Sequence, residues 1–341
     1  MKRSALLVGL LLATAPLSVV QAQETINYIT AGGVYLENIR KAFLDPIGKE
    51  LNVTWNVETS DVDTPVRIQF QSGAVTTDIA EFGASVCAQG AAEGMYEKLD
   101  LSIIDTKDFA PGSFSDYYLG STVYSIVMAW NPKTVKEAPK TWADFWDVEK
   151  FPGKRAMRKD PRATIEAALL ADGVPLKELY PLDLDRAFKK LSEIKPHITA
   201  WWNSGAESQQ MLRDGGIDMI AMYNARAESV KSDGGSVDYT FNEGLMDFGC
   251  WAIVKGSDQV DLSMKILAEF AKPEYQAEMT VLSNYGSANT KAADTGKIPA
   301  ETLSKIPTSP ENIANQAFLA PDWWAEHGAE AKERFDQLLT Q

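Results

Sequence analysis

Strand-like and helix-like segments alternate from Thr25 to Leu339 with no linker between them, and that alternation limits the fold more than any single motif does. Residues 25–30 read as a first strand, Gly32-Gly33 as a turn, and Leu36, Ile39 and Phe43 as the apolar stripe of a helix. Val53, Trp55 and Val57 alternate as in a strand, 65–72 is helical, 78–82 is a short apolar strand, and a helix follows around 87–95. This order points to a layered α/β domain with parallel strands. Further on, 121–130 is a long apolar strand ending at Asn131-Pro132, and Thr141 stands as an N-cap ahead of an acidic first turn. The spacing then gives a strand at 154–158, helices at 164–171 and 183–194, and strands at 217–222 and 248–254. A helix marked by Leu262, Ile266 and Phe270 stops before Pro273, and a last helix covers 323–339.

The chain opens with Lys2 and Arg3, an apolar run from Ala5 to Ala13, and small residues at Val20 and Ala22. That is the pattern of a secretory signal peptide at 1–22, cut after Ala22, which places the mature chain in the periplasm. The alternative is a membrane anchor, but the run is shorter than the roughly 20 apolar residues that span a bilayer. Cleavage leaves about 320 residues, more than one compact core holds. Two lobes are therefore expected, with the chain crossing between them through strands near Trp130-Asn131, near 250–254 and near 283–285. Lobe 1 then takes 23–130 plus about 252–283, and lobe 2 takes 131–251 plus about 284–341. The cleft of such a pair is a natural ligand site.

Composition excludes several functions. With 33 basic and 47 acidic residues the formal charge is −14, which disfavours nucleic acid and anionic membranes as partners. Cys87 and Cys250 either form one disulfide in an oxidising compartment or serve as two small buried hydrophobes. Together with His197 and His327 they lack metal-ligand spacing, so no metal or cofactor is expected. No G-x-S-x-G elbow, P-loop or G-x-G-x-x-G turn is present, and no residue is assigned a catalytic role. A secreted hydrolase remains only as an alternative, since a triad is assembled in space.

Several motifs in order carry a resemblance: Thr141-Trp142-Ala143-Asp144-Phe145-Trp146-Asp147, Phe151-Pro152-Gly153-Lys154-Arg155, Gly216-Ile217-Asp218-Met219, Tyr223-Asn224, Glu243-Gly244 and Asn284-Tyr285-Gly286-Ser287-Ala288-Asn289. The chain resembles the spermidine/putrescine-type periplasmic binding proteins of ABC importers over nearly its whole mature length. The resemblance implies a two-lobed α/β fold, hinge closure on one small ligand, and delivery to a transmembrane permease by a protein that needs no oligomer. It also implies ligand residues. Asp160 keeps the first of two ammonium-binding carboxylates, and Ala163 stands where the second would be. Tyr223 and Tyr285 keep aromatic positions, with Asn224 beside Tyr223. Phe248 keeps a third aromatic, while Cys250 replaces the aspartate two places on. The first turn, Thr30-Ala31-Gly32-Gly33, lacks the family's aromatics and leaves Tyr35 nearby.

These departures favour a mono-amine or an ω-amino-acid zwitterion over a long polyamine, because each buried charge left unpaired costs several kcal/mol. Arg162 and Arg226 are the candidate partners for an anionic end. Arg226 follows a strand in a loop of the kind where α/β sheets bind ligands. Asp160 can equally start a turn at Pro161, and Arg162 can be a solvated helix residue. Trp202 is a candidate wall, and Ser204 either caps a helix or helps it bind a carboxylate. Glu81 ends a strand and points either into the cleft or at backbone. Of Phe248 and Trp251, whichever faces inward lines the hinge. A ferric-ion or other small-solute binder of the same fold is a further alternative; its best tyrosine pair, Tyr117-Tyr118, lies outside the expected cleft.

Overall fold

The structure, a computed structural model, describes residues 23–60 and 62–340, so the expected signal peptide lies outside the described residues. Ten strands make one sheet. They are β1 (Glu24–Thr30), β2 (Val53–Thr59), β3 (Ile79–Gly83), β4 (Leu119–Trp130), β5 (Arg155–Arg158), β6 (Ile198–Trp202), β7 (Met219–Tyr223), β8 (Asp238–Ile253), β9 (Gly286–Ser287) and β10 (Gln316–Phe318). The order is β2-β1-β3-β8-β4-β7-β5-β6, with β10 on β8 and β9 on β4. β1 is parallel to β2 and β3, and β5 is parallel to β6 and β7. Between these two parallel groups, β4 and β8 run antiparallel to each other.

Apolar burial divides into two cores. One gathers Ile26, Phe43, Phe82, Trp251 and Phe270 around β1–β3. The other gathers Trp142, Phe145, Leu169, Trp202 and Met222 around β5–β7. β4 serves both: Leu119 and Val123 enter the first core, Ile126, Met128 and Trp130 the second. β8 does the same in reverse, with Leu245 in the second core and Met246, Phe248 and Cys250 in the first. The chain therefore changes core in mid-strand, between Val123 and Ile126 and between Leu245 and Met246. The crossings expected at Trp130-Asn131 and 250–254 fall at the far ends of these strands. An apolar run identifies a strand but not which core takes each half.

The motifs that carry the resemblance are largely framework. Thr141 and Asp144 form a capping box, and the Trp142 backbone N–H and indole Nε1 donate to the Glu243 side chain (2.7 Å) and carbonyl (2.9 Å). Arg155 is buried and donates to the carbonyls of Phe145, Gly153, Asp147 and Phe151, stitching the loop before β5. Gly153 (φ 136°) passes so close to Asp218 that an added Cβ would lie 2.7 Å from Oδ2. Asn289 donates to the Ala271 carbonyl at 2.9 Å. Glu243, Arg155 and Asn289 thereby pair backbone groups in and beside these loops.

Cys87 and Cys250 are disulfide-bonded, which decides between the two readings and ties the Ala84–Ala92 helix to β8 across 163 residues of chain. Replacing both by Ala is expected to cost about 2–4 kcal/mol in denaturant melts. Unchanged stability would mean that the bridge is idle.

Glu166 lies fully buried in the Thr164–Ala171 helix. Its Oε1 accepts from Tyr180 Oη (2.5 Å) and from Nε1 of Trp324 (2.8 Å), at the start of the C-terminal helix Pro321–Thr340, while Oε2 has no partner. Burial pushes its carboxyl up to about 7, against the pull of those two donors. The folded chain thus keeps a proton that an unfolded glutamate releases near pH 4.3, and this group's contribution to stability falls as pH rises from about 4.5 to 7. Glu166→Gln is expected to gain on wild type by about 2–3 kcal/mol between pH 5 and pH 8 in urea melts. Parallel pH profiles for the two proteins would contradict this.

Candidate ligand site between the two cores

The first wall is built on β1 and β3. Strand alternation points Tyr28 and Thr30 to the same face, and both hydroxyls donate to Glu81 Oε2, Thr30 at 2.6 Å. Tyr35, from the helix Val34–Ile39, donates to Glu81 Oε1 at 2.6 Å and lies 3.4 Å from Thr122 Oγ1. Glu81 is 5% exposed and makes no salt bridge among the described residues. Three hydroxyl donors thus hold a carboxylate that has no cation beside it. Gly249 of β8 lies against this group: an added Cβ would meet Ser121 Oγ at 2.5 Å and stand 3.7 Å from Glu81 Oε1.

The second wall is the end of β5 and the turn after it. Asp160 Oδ2 lies 3.3 Å from Arg158 Nη2 and 3.1 Å from Arg162 Nη2, and Oδ1 accepts the Arg162 backbone N–H at 2.9 Å. Burial alone would raise the Asp160 carboxyl, but Arg158 and Arg162 outweigh it and hold the group below the usual carboxylate range. The Arg158 guanidinium lies over the rings of Tyr223 (5.5 Å) and Trp202 (5.9 Å). Two guanidinium groups share one aspartate, so this wall carries a surplus positive charge.

Tyrosines fill the space between. Tyr124 of β4 meets Tyr223 at 5.4 Å and Tyr285 at 6.4 Å between centroids, and Tyr285 meets Tyr35 at 6.3 Å. Burial raises the phenol of Tyr223, with Arg158 and Arg162 working against the rise. Tyr124 Oη donates to Asp247 Oδ2 at 3.0 Å. Asp247 is 5% exposed, and burial raises its carboxyl despite Arg162 nearby.

The residues expected from sequence fall into three groups. Tyr35, Glu81, Asp160, Arg162, Tyr223 and Tyr285 come together around this cleft. Ser204 is the N-cap of the Gly205–Arg213 helix, accepting from Glu207 N–H. Arg226 lies in the Asn224–Ser232 helix rather than in a loop, exposed beside Gly205; burial raises the Tyr285 phenol, and Arg226 works against that rise. Trp202 is buried beneath Tyr223, with Nε1 donating to the Ala221 carbonyl at 2.9 Å. The amide of Asn224 is occupied by the Ser125 N–H and the carbonyls of Asn284 and Lys305, so it fixes β4 rather than facing ligand.

Phe248 and Trp251 do not line the cleft. Both are in the first core, where Trp251 packs on Phe43 and Phe270 and donates to Tyr28 Oη at 3.0 Å. Cys250 shares its strand face with Phe248, whereas Trp251, opposite Glu81 in the ladder, supports the first wall from below through Tyr28. The residues of β8 nearest the site are on the other face, Asp247 and Gly249. Sequence reasoning missed Arg158, Asp247, Tyr124, Tyr28 and Ser85. Period-2 alternation back from Gly249 was the one signal available for Asp247.

Residues 42–307 match the model of the bacterial extracellular solute-binding proteins. The chain belongs to that family. An ABC transporter substrate-binding protein from Bradyrhizobium japonicum USDA 110 is 40% identical, with TM-score 0.89 over 93% of this chain and 99% of the other. The protein MotA from A. tumefaciens B6, solved with glucopine, is 38% identical, with TM-score 0.83 over 92% and 99%. The gamma-aminobutyric acid-binding protein of Pseudomonas aeruginosa is 33% identical over 93% of this chain and 91% of its own length. The polyamine resemblance holds at greater distance: the spermidine/putrescine-binding periplasmic protein of Escherichia coli K12 is 21% identical over 67% of this chain and 65% of its own length. The fold of this family member is the two-lobed α/β architecture of periplasmic binding proteins, and the two cores are its lobes. Among the described residues no helix is long and apolar enough to cross a membrane.

Proposed function

We propose that this chain is a periplasmic carrier, not an enzyme, that closes on a small zwitterion of the ω-amino-acid type and presents it as a monomer to an ABC permease. The observation that carries the reading is the opposed charge of the two walls. Glu81 stands without a cation on lobe 1, and Arg158 and Arg162 share one Asp160 on lobe 2. An ammonium end docks at Glu81, with Asp247 as the neighbouring acceptor. A carboxylate end docks at Arg158, where guanidinium geometry suits it. The tyrosines cover the methylenes between the two ends.

A polyamine is poorly served here. Ala163 offers no carboxylate, Cys250 is locked in a disulfide, and Asp160 is already neutralised by two arginines. The relative named for gamma-aminobutyric acid supports a ligand of amino-acid character. A ferric-ion reading has less support, because Tyr118 packs on Phe248 in the first core and Tyr117 is exposed.

Closure bends β4 between Val123 and Ile126 and β8 between Leu245 and Met246, which sets the lobe boundary we assign. Bringing the walls together removes water from both charged contacts and strengthens them.

The test is a thermal-shift screen of residues 23–341 with 4-aminobutyrate, other ω-amino acids, glucopine, putrescine, spermidine and ferric ion. A ligand at 100 times its Kd adds about 2.7 kcal/mol of stability. The shift is expected with a zwitterion, and Glu81→Gln and Arg158→Gln are each expected to abolish it. A shift with spermidine and none with any zwitterion sinks the proposal.

A further inference from the structure

Among the described residues, one hydrogen bond crosses the cleft between side chains of opposite lobes. Arg162 Nη1, from the turn after β5, donates to Ser85 Oγ at 2.8 Å. Ser85 is the second residue of the Ala84–Ala92 helix, which leaves β3 directly after the Glu81 strand. The remaining donors that fix Arg162 point the other way: Nε and Nη2 hold Asp160 at 3.2 and 3.1 Å. Arg162 is therefore oriented within lobe 2 before it meets lobe 1.

The position of this contact matters more than its strength. On its inner side Asp160 touches Arg158, which lies over Tyr223. On its outer side Arg162 and Ser85 form part of the wall of a cavity of about 810 Å³, lined also by Gln89, Lys159, Lys332 and Glu333. The contact thus stands between the tyrosines of the cleft and a second space under the C-terminal helix.

We propose that the Arg162–Ser85 hydrogen bond is a length gate: a ligand short enough to stay between the two walls of the cleft leaves it closed, and a longer one displaces Arg162 from Ser85 and extends into the outer cavity. This rests on the reading of the cleft as a zwitterion site. Ser85 is a specificity-determining residue that a compact ligand does not touch. Its hydroxyl matters to short ligands because it completes closure, and ceases to matter once the ligand itself holds the gate open.

The experiment compares wild type with Ser85→Ala by calorimetric titration of 4-aminobutyrate and 6-aminohexanoate. Loss of a hydrogen bond to a charged group is expected to weaken the short ligand roughly tenfold and the long one less than about twofold. Equal loss for both, or no loss for either, overturns the gate. If wild type binds neither compound the zwitterion reading fails by itself. The gate is then judged in ligand-free protein, from the distance between spin labels at exposed Glu58 in lobe 1 and Lys177 in lobe 2. Ser85→Ala is expected to shift that distribution towards separation, and an unchanged distribution overturns the proposal.

Discussion

Strands β4 and β8 pair with each other while each packs into two cores, and every property of the cleft depends on that arrangement. Neither lobe is attached by a flexible tether. The connection is a stretch of antiparallel ladder whose backbone groups are already paired, so bending it sacrifices no hydrogen bonds to solvent. Register shifts between Gly120 and Val123 and between Ile126 and Met128 flank the crossing point on β4. Irregular pairing of this kind locally raises twist and re-aims side chains. Here it brings Tyr124 and Asp247 to the floor of the cleft.

The same arrangement explains why charge can be left unbalanced on each wall. A carboxylate buried at 5% exposure with no cation is costly unless donors surround it, and Tyr28, Thr30 and Tyr35 supply them. Trp251 donates to Tyr28 from the core below, so the donor set is anchored in packing rather than in loop residues. Across the cleft, the stacking of Arg158 on Tyr223 and Trp202 serves the corresponding purpose. Each wall is held ready by its own lobe, and the ligand completes the pairing between them.

The elements were legible in sequence wherever local patterns decide. The Thr141 cap is in place, Asp183 caps the Leu184–Ile194 helix, and the Val260–Phe270 helix ends ahead of Pro273. The front half of β8 was not legible, because Glu243 at positive φ and Gly244 break its alternation, and its pairing with β4 and β10 is far away in sequence. Apart from Tyr223 and Tyr285, the motifs that revealed the family are framework, which is why they fixed the fold better than the ligand. Phe248 and Trp251 were misassigned because both faces of β8 are covered there, so an apolar side chain carries no information about direction. Arg158 ended a strand like any other charged residue, and only the fold placed it over Tyr223. Two cysteines 163 residues apart left open whether Cys87 and Cys250 are bridged or are separate buried thiols, and only the fold brings them together.

The central claim is that the cleft recognises both ends of a zwitterion, one on each lobe. Calorimetric titration of the wild-type chain with 4-aminobutyrate, butylamine, butyrate and putrescine tests it most directly. The account predicts that 4-aminobutyrate binds and that each single-charge analogue binds at least about 100-fold more weakly, because one wall then keeps a buried charge unpaired. Putrescine or butylamine binding as tightly as 4-aminobutyrate would contradict it, since either result would mean that the arginine wall plays no part in recognition.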